Sequence, residues 1–373
     1  MKYKINFINA SYRRYYAKHR KQILGAVDRC HKRGDFVLRE DVDKFEKNLR
    51  KFTGAKYAVA VNSGTDALKL SYKALGLKPG DEVITVSHVF IAPIQEIVHL
   101  GAKPVLIDIR DDGLMDESKI EGAITKRTVG IVPVHLSGKM CDMKEIMRVA
   151  KKHKLWVVED ACQALGAKRN GNAGTIGDTG CFSFISPKTL GGSGDNGGIV
   201  TNSKKLYEKL MLLRNHWNVT QGALHGRQPK TPCLLDWGYN SRMDNIQAAI
   251  LNIKWKYYQA MLKRRKRIGL MYKKGLKGLP ISLPKQQLGQ IYQEFIIRLK
   301  DIWWFKKFMD KKGVELLIRD TVPNHKAYRD FKGVSLPVTE KHATTSVRLP
   351  TYPELNDSEV RYIIKSARAF YAK

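Results

Sequence analysis

The segment Tyr57-Ala58-Val59-Ala60-Val61-Asn62-Ser63-Gly64-Thr65-Asp66-Ala67-Leu68-Lys69-Leu70-Ser71-Tyr72-Lys73-Ala74-Leu75 decides the fold class. Its first five residues are a short apolar run with the signature of a buried strand, and the spacing over 66–75 predicts a helix. The same signal returns at 82–86, 104–109, 129–134 and 155–158, and again around Phe182 and Ile199. Strands separated by helical stretches imply an α/β fold, a mostly parallel sheet flanked by helices with right-handed crossovers. Ligands of such sheets bind at the carboxyl ends of the strands.

Downstream, a helical pattern over 244–277 predicts a connecting helix. Beyond Pro280 shorter strands and helices predict a smaller α+β domain that ends in a helix over 358–372. The expected division is a large domain over 1–250, with an N-terminal helical segment, and a connecting helix plus small C-terminal domain over 251–373.

A chain of 373 residues with 43% hydrophobic content has enough apolar side chains for a sizeable core. No apolar run approaches the roughly 18 residues of a membrane span, and the basic N-terminus lacks the apolar centre of a signal peptide. The expected address is the cytoplasm, with no membrane partner. Five cysteines, Cys30, Cys141, Cys162, Cys181 and Cys233, form no C-x-x-C pair and read as free thiols, with no metal site. The net charge of +32, from 67 Lys and Arg against 35 Asp and Glu, favours polyanionic partners. It is spread along the chain without a basic tail, and its densest cluster, Lys263 to Arg267, reads as a solvated helix face.

Three stretches carry candidate chemistry. Asn62-Ser63-Gly64-Thr65 lies between a strand and a helix, where free backbone N–H groups, a glycine and two hydroxyls make an anion cradle; the same residues also read as an ordinary N-cap turn. Leu155-Trp156-Val157-Val158-Glu159-Asp160 is a buried-strand pattern ending in carboxylates, suited to set a fixed negative charge against a cationic cofactor nitrogen. Ser183-Phe184-Ile185-Ser186-Pro187-Lys188-Thr189-Leu190 leads into the glycine-rich run 191–198. Lys188 follows an apolar strand with no neighbouring charge, and a desolvated lysine is an imine-forming nucleophile.

With NSGTDAL, EDACQALGA and the Phe-Ser-Phe…Lys…Leu-Gly-Gly-x-Gly-Asp segment in this order, the chain resembles the DegT/DnrJ/EryC1/StrS family of sugar aminotransferases. DFVLREDVDKFEKNLRKFTG, HLSGKMCDM, GYNSRMDNIQAAIL and LPTYPELNDSEVRYII extend the resemblance over nearly the whole chain. It implies fold type I of the pyridoxal 5'-phosphate enzymes and a homodimer with shared active sites. Position by position, it implies Lys188 as the lysine that binds the cofactor covalently and then shuttles a proton, and Asp160 as the partner of the pyridine nitrogen. Ser63, Gly64, Thr65 and Ser183 match the phosphate cradle, Phe90 the aromatic stacked on the cofactor ring, and Gln163 a cofactor contact beside Asp160. Asn240 matches a residue reaching the phosphate from the neighbouring subunit, and Arg242 one meeting the donor carboxylate or the sugar nucleotide. Phe90 and Gln163 also read as core and turn residues, and Asn240 and Arg242 as an N-cap and an interface ion pair.

The implied reaction moves an amino group from L-glutamate to a 3-keto or 4-keto group of a nucleotide-linked sugar, with a slight lean to position 3. An aminocyclitol aminotransferase shares every motif, and a cofactor-holding regulator that binds nucleic acid is a rival of another class. Dehydratases of the family carry histidine in place of the lysine. The chain departs from the family at Ser186, at Thr189, at Trp217 and at Arg39, where a small residue is usual.

Overall fold

The computed structural model describes residues 3–7, 10–217, 236–318 and 334–372. Two helices come first, α1 (Ala10–Arg33) and α2 (Glu40–Thr53). Seven strands then build the main sheet: β1 (Tyr57–Val61), β2 (Glu82–Val86), β3 (Lys103–Ile107), β4 (Thr128–Ile131), β5 (Trp156–Asp160), β6 (Thr179–Ser183) and β7 (Gly197–Thr201). Their order is β1-β7-β6-β5-β4-β2-β3. β7 runs antiparallel to both of its neighbours and the other pairings are parallel, so the sheet is mixed and mostly parallel. All the strands expected from the alternation are present, with ends shifted by up to three residues.

Side chains alternate across the strands and so divide the apolar packing into two layers. Val59, Val61, Val158 and Ile199 face a cluster completed by α3 (Gly64–Leu75) and α6 (Lys204–Leu213). Ala58, Ala60, Val157, Phe182 and Val200 face the other cluster, completed by α2 and by α5 (Met143–His153). Helix α4 (Ala92–His99) follows β2. Three layers result, with the carboxyl ends of β1, β5 and β6 at one edge.

The helix expected over 244–277 is two helices, α7 (Asn245–Trp255) and α8 (Tyr258–Gly275). The break falls at Tyr257, where φ is −103 and ψ −4. Trp255 and Tyr258 on either side both pack on Phe52, with ring centroids 5.7 and 5.3 Å away. Aromatic packing thus fixes the turn, and α8 runs on from the first core at Tyr258 into a second at Ile268 and Tyr272.

That second core lies under a three-stranded antiparallel sheet ordered β8-β10-β9, from β8 (Phe295–Arg298), β9 (Leu317–Ile318) and β10 (Ser346–Leu349). Helices α9 (Ile302–Lys311), α10 (Pro337–Thr345) and α11 (Asp357–Tyr371) complete this part. Ile5 joins the core by bridging to Val314.

The basic cluster on α8 is not wholly a solvated face. Arg265 is buried and donates to the carbonyls of Gln293 and Thr351, while Arg264 and Arg267 both pair with Asp357. The reason is helical spacing, since one residue in five neighbours must point at the core. Cys30, Cys141, Cys162 and Cys181 are free thiols, and Cys233 lies outside the described residues.

Candidate active site

The turn after β1 is an N-cap, and its geometry is compatible with an anion cradle. Ser63 caps α3 by accepting from the Asp66 N–H at 3.0 Å, which leaves the N–H groups of Gly64 and Thr65 without an intrahelical acceptor. The Ser63 hydroxyl hydrogen stays available to donate. A Cβ on Gly64 would lie 2.7 Å from Ser183 Cβ and 3.1 Å from Cys162 Sγ. Glycine therefore lets the positive end of the helix close against the ends of β5 and β6, a geometry suited to an anion.

At the end of β5 the two adjacent carboxylates go to opposite faces. Glu159 is fully buried, 2.8 Å from His135 Nε2, and accepts the N–H groups of Gly174, Ile176 and Gly177. It is a structural knot holding the 174–177 turn. Asp160 points to the other face, where Oδ1 accepts the Cys162 N–H at 3.0 Å and the carboxylate also meets the Cys162 thiol, while Oδ2 accepts no backbone N–H and no cation among the described residues. A nearly buried carboxylate with an open oxygen fits a cationic N–H.

Lys188 lies in the connection between β6 and β7. Phe184 N donates to Asn196 O at 2.7 Å and Gly192 N to Phe184 O at 2.8 Å, so the connection doubles back on itself. A Cβ on Gly191 would sit 2.1 Å from Ser186 O, a closeness only glycine permits. Three side chains from elsewhere brace the same loop. Thr189 Oγ1 and Tyr258 OH are 2.7 Å apart, Gln293 Nε2 donates to Pro187 O at 3.2 Å, and Lys254 Nζ donates to Gly191 O at 2.7 Å. Lys188 itself is half-buried, and its ammonium has no ion pair or hydrogen bond among the described residues. Burial pushes the Cys162 thiol well up; Asp160 adds to this and Lys188 opposes it, so both charges act on the thiol between them.

The remaining sequence candidates are more scattered. Gln163 Oε1 accepts the N–H of Ser137, which holds a left-handed φ of 57. Phe90 is 67% exposed, an aromatic face with little protein over it. Asn240 is exposed and pairs through its backbone with Asn215, and the next residue, Ser241, donates to Asn62 Oδ1 at 3.1 Å. Arg242 Nη1 donates to Asn215 Oδ1 at 3.1 Å. No hydrogen bond or ion pair joins Phe90, Asn240 or Arg242 to Lys188 or Asp160 within the described residues of this one chain. A cleft of ≈ 330 Å³ opens beside Ser137, lined also by His88, Lys139, Arg298 and His342. Lys188 and Asp160 do not line it, so it adjoins their site through Ser137 and does not contain it.

The phosphate turn, the open Asp160 oxygen and the unpaired Lys188 together fit pyridoxal phosphate, whose three reactive features are an anion, a ring N–H and a carbonyl carbon. Sequence reasoning missed the braces, Lys254, Tyr258 and Gln293. They lie 66 to 105 residues beyond Lys188 and carry no motif, although a lysine amid the apolar residues of 245–255 was a detectable oddity.

The sequence pattern described as the DegT/DnrJ/EryC1/StrS aminotransferase family matches residues 17–368. A dTDP-3-amino-3,6-dideoxy-alpha-D-galactopyranose transaminase of Aneurinibacillus thermoaerophilus is 37% identical over 360 residues, 95% of this chain and 96% of that one. A UDP-N-acetyl-3-dehydro-alpha-D-glucosamine 3-aminotransferase of Acidithiobacillus ferrooxidans is 36% identical over 359 residues, covering 94% of each. Among solved structures, S. venezuelae DesV in complex with a ketimine intermediate superposes with a TM-score of 0.91 at 32% identity, covering 99% of both chains.

Proposed function

The chain belongs to the DegT/DnrJ/EryC1/StrS aminotransferase family and is a pyridoxal-phosphate-dependent aminotransferase, and from that premise we propose that it moves an amino group from L-glutamate to the C3 keto group of a nucleotide-linked sugar. The observation that carries the catalytic half is the placing of Lys188, unpaired on a braced loop, with Asp160 holding one oxygen open. The acceptor is supported by the two 3-amino-sugar transaminases above and by the +32 charge, which suits a sugar diphosphate.

Bound pyridoxal phosphate supplies the electron sink that stabilises negative charge at the substrate carbon losing its proton. The Asp160 carboxylate would accept the ring N–H and keep that nitrogen cationic. The N–H groups of Gly64 and Thr65, with the hydroxyls of Ser63, Thr65 and Ser183, would hold the phosphate. Phe90 would stack on the cofactor ring, and Gln163, fixed by the Ser137 N–H, would contact the cofactor beside Asp160. Lys188 Nζ would bind the cofactor covalently and, when its amine is free, would serve as the base that carries the proton lost from the donor Cα. Arg242 meets a carboxylate or phosphate of the substrate. Asn240 reaches the phosphate of a second copy in a homodimer, in keeping with its exposure. Donor and acceptor use one site in turn, so the kinetics are ping-pong. The reaction runs in the cytoplasm.

The test follows the visible absorbance of the cofactor-loaded protein as L-glutamate is added, alongside Lys188→Ala. A dTDP- or UDP-linked 3-keto sugar is then added and the product identified by mass and NMR. The expected outcome is a glutamate-driven loss of the band, its recovery with the keto sugar, and an amine at C3. Loss of the band with no recovery on any 3-keto sugar, but recovery on a 4-keto one, overturns the assigned position.

A further inference from the structure

Helix α9 (Ile302–Lys311) presents two unlike faces. Ile302, Phe305 and Met309 are buried in the second core. The opposite face carries Trp303, Trp304, Lys307 and Lys311, at the i, i+1, i+4, i+8 spacing of one helical stripe, with Lys300 just before the N-cap, and all five residues are exposed. Trp303 and Trp304 are 69% and 66% exposed. Two adjacent tryptophans left in water are costly, since each ring holds on the order of 200 Å² of surface that folding usually covers. Lys307 lies over the Trp304 ring, 5.3 Å from its centroid, and Lys312 over Phe308 at 5.5 Å, so ammonium groups stand at the same level as the rings. Of the nearby acids, Asp310 borders the stripe below Trp303 and is paired with Lys306 at 2.8 Å, and Asp301 stands at the N-cap beside Lys300.

We propose that this stripe of α9 is a docking face for an anionic lipid bilayer, with Trp303 and Trp304 entering at headgroup depth and Lys300, Lys307 and Lys311 meeting lipid phosphates. Indole rings suit that depth because one edge is polar and the body apolar, and lysines at the same level add electrostatic attraction. Charge decides the occupant. A second copy of the chain would set lysine against lysine across a self-complementary face. The stripe is a convex ridge with two rings at one end, which offers no slot for a nucleotide base between aromatic platforms. A flat anionic surface satisfies the rings and the lysines together, and the +32 chain carries no opposing field. No helix among the described residues is long and apolar enough to cross a membrane, so the contact is peripheral.

The experiment sediments the cofactor-loaded protein with vesicles of phosphatidylcholine alone, or with one-third phosphatidylglycerol, at low and high salt. The wild type is expected to pellet with the anionic vesicles only, with a blue-shifted tryptophan emission, and to lose more than about tenfold in affinity at 0.5 M salt. Trp303→Ser with Trp304→Ser, and separately Lys307→Glu with Lys311→Glu, are each expected to weaken binding at least about tenfold while glutamate-driven transamination is unchanged. Absence of binding to anionic vesicles at low salt overturns the proposal, as does wild-type binding by both variants. A change of oligomeric state in the tryptophan variant assigns the stripe to a second copy, and retention on duplex DNA without vesicle binding assigns it to nucleic acid; either result overturns the proposal. Transamination is read separately, so failure here leaves the catalytic reading standing.

Discussion

Lys254 Nζ donates to the carbonyl oxygen of Gly191 at 2.7 Å from a site where the lysine is only 8% exposed. The bond ties helix α7 to the loop carrying Lys188, three residues before Gly191. Burial drives the Lys254 ammonium down to about 8; Glu354 pulls it up and Arg265 pushes it down further. The Tyr15 ring, 4.7 Å away, faces the same ammonium.

A pH-dependent stability signature follows from that burial. Below about pH 8 Lys254 is charged in both folded and unfolded chains, and the folded protein bears the full cost of burying the charge. Between about 8 and 10.5 the unfolded chain holds the proton and the folded one has released it, so stability rises with pH. Lys254→Met removes this term. The difference in urea midpoint, wild type minus variant, is expected to grow from pH 7 to pH 10. A difference that stays flat refutes the assignment. The loosened Gly191 carbonyl is expected to lower kcat about tenfold at pH 7.

Gly64→Ala tests the phosphate turn. The new Cβ would lie 2.7 Å from Ser183 Cβ, which forces the start of α3 away from β6. The expected stability loss is about 1–3 kcal/mol, with cofactor affinity weakened at least about tenfold. Melting temperature with and without added pyridoxal phosphate separates the two effects. An unchanged cofactor-dependent rise in melting temperature sinks the cradle reading.

The two carboxylates of β5 are expected to fail differently. Asp160→Asn keeps the shape but loses the charge, and kcat is expected to fall about 10²–10³-fold with the fold intact. Glu159→Gln strips the charge from a fully buried group that serves three backbone N–H groups and His135. It is expected to cost about 3–5 kcal/mol in urea denaturation. If Asp160→Asn unfolds the protein while Glu159→Gln silences the chemistry, the roles are reversed.

Tyr258 links Thr189 to the Leu165 carbonyl, at 2.7 and 2.8 Å, from a fully buried position. Tyr258→Phe and Thr189→Val are each expected to cost about 1–3 kcal/mol. The double variant is expected to cost less than the sum, by about 0.5–3 kcal/mol. Additive losses in thermal melts would mean that the two hydroxyls do not share one bond.

The sequence by itself determined the strand-and-helix alternation, and with it the mixed, mostly parallel sheet, and it pointed to a site at the carboxyl edge. Short apolar runs and amphipathic stretches are local signals, and local signals survive without a structure. It also singled out Lys188, Asp160 and the 62–65 turn as candidates, because the order of their blocks resembles a family. It did not determine that 244–277 breaks at Tyr257, since the break comes from Trp255 and Tyr258 packing on Phe52, some 200 residues earlier. Nor did it assign opposite tasks to Glu159 and Asp160. Alternation sends neighbours on a strand to opposite faces, but only the layers packed above and below the sheet decide which face holds the site. The tertiary structure alone brought Lys254, Tyr258 and Gln293 to the Lys188 loop, because such bonds join groups close in space whose distance along the chain leaves no periodic trace.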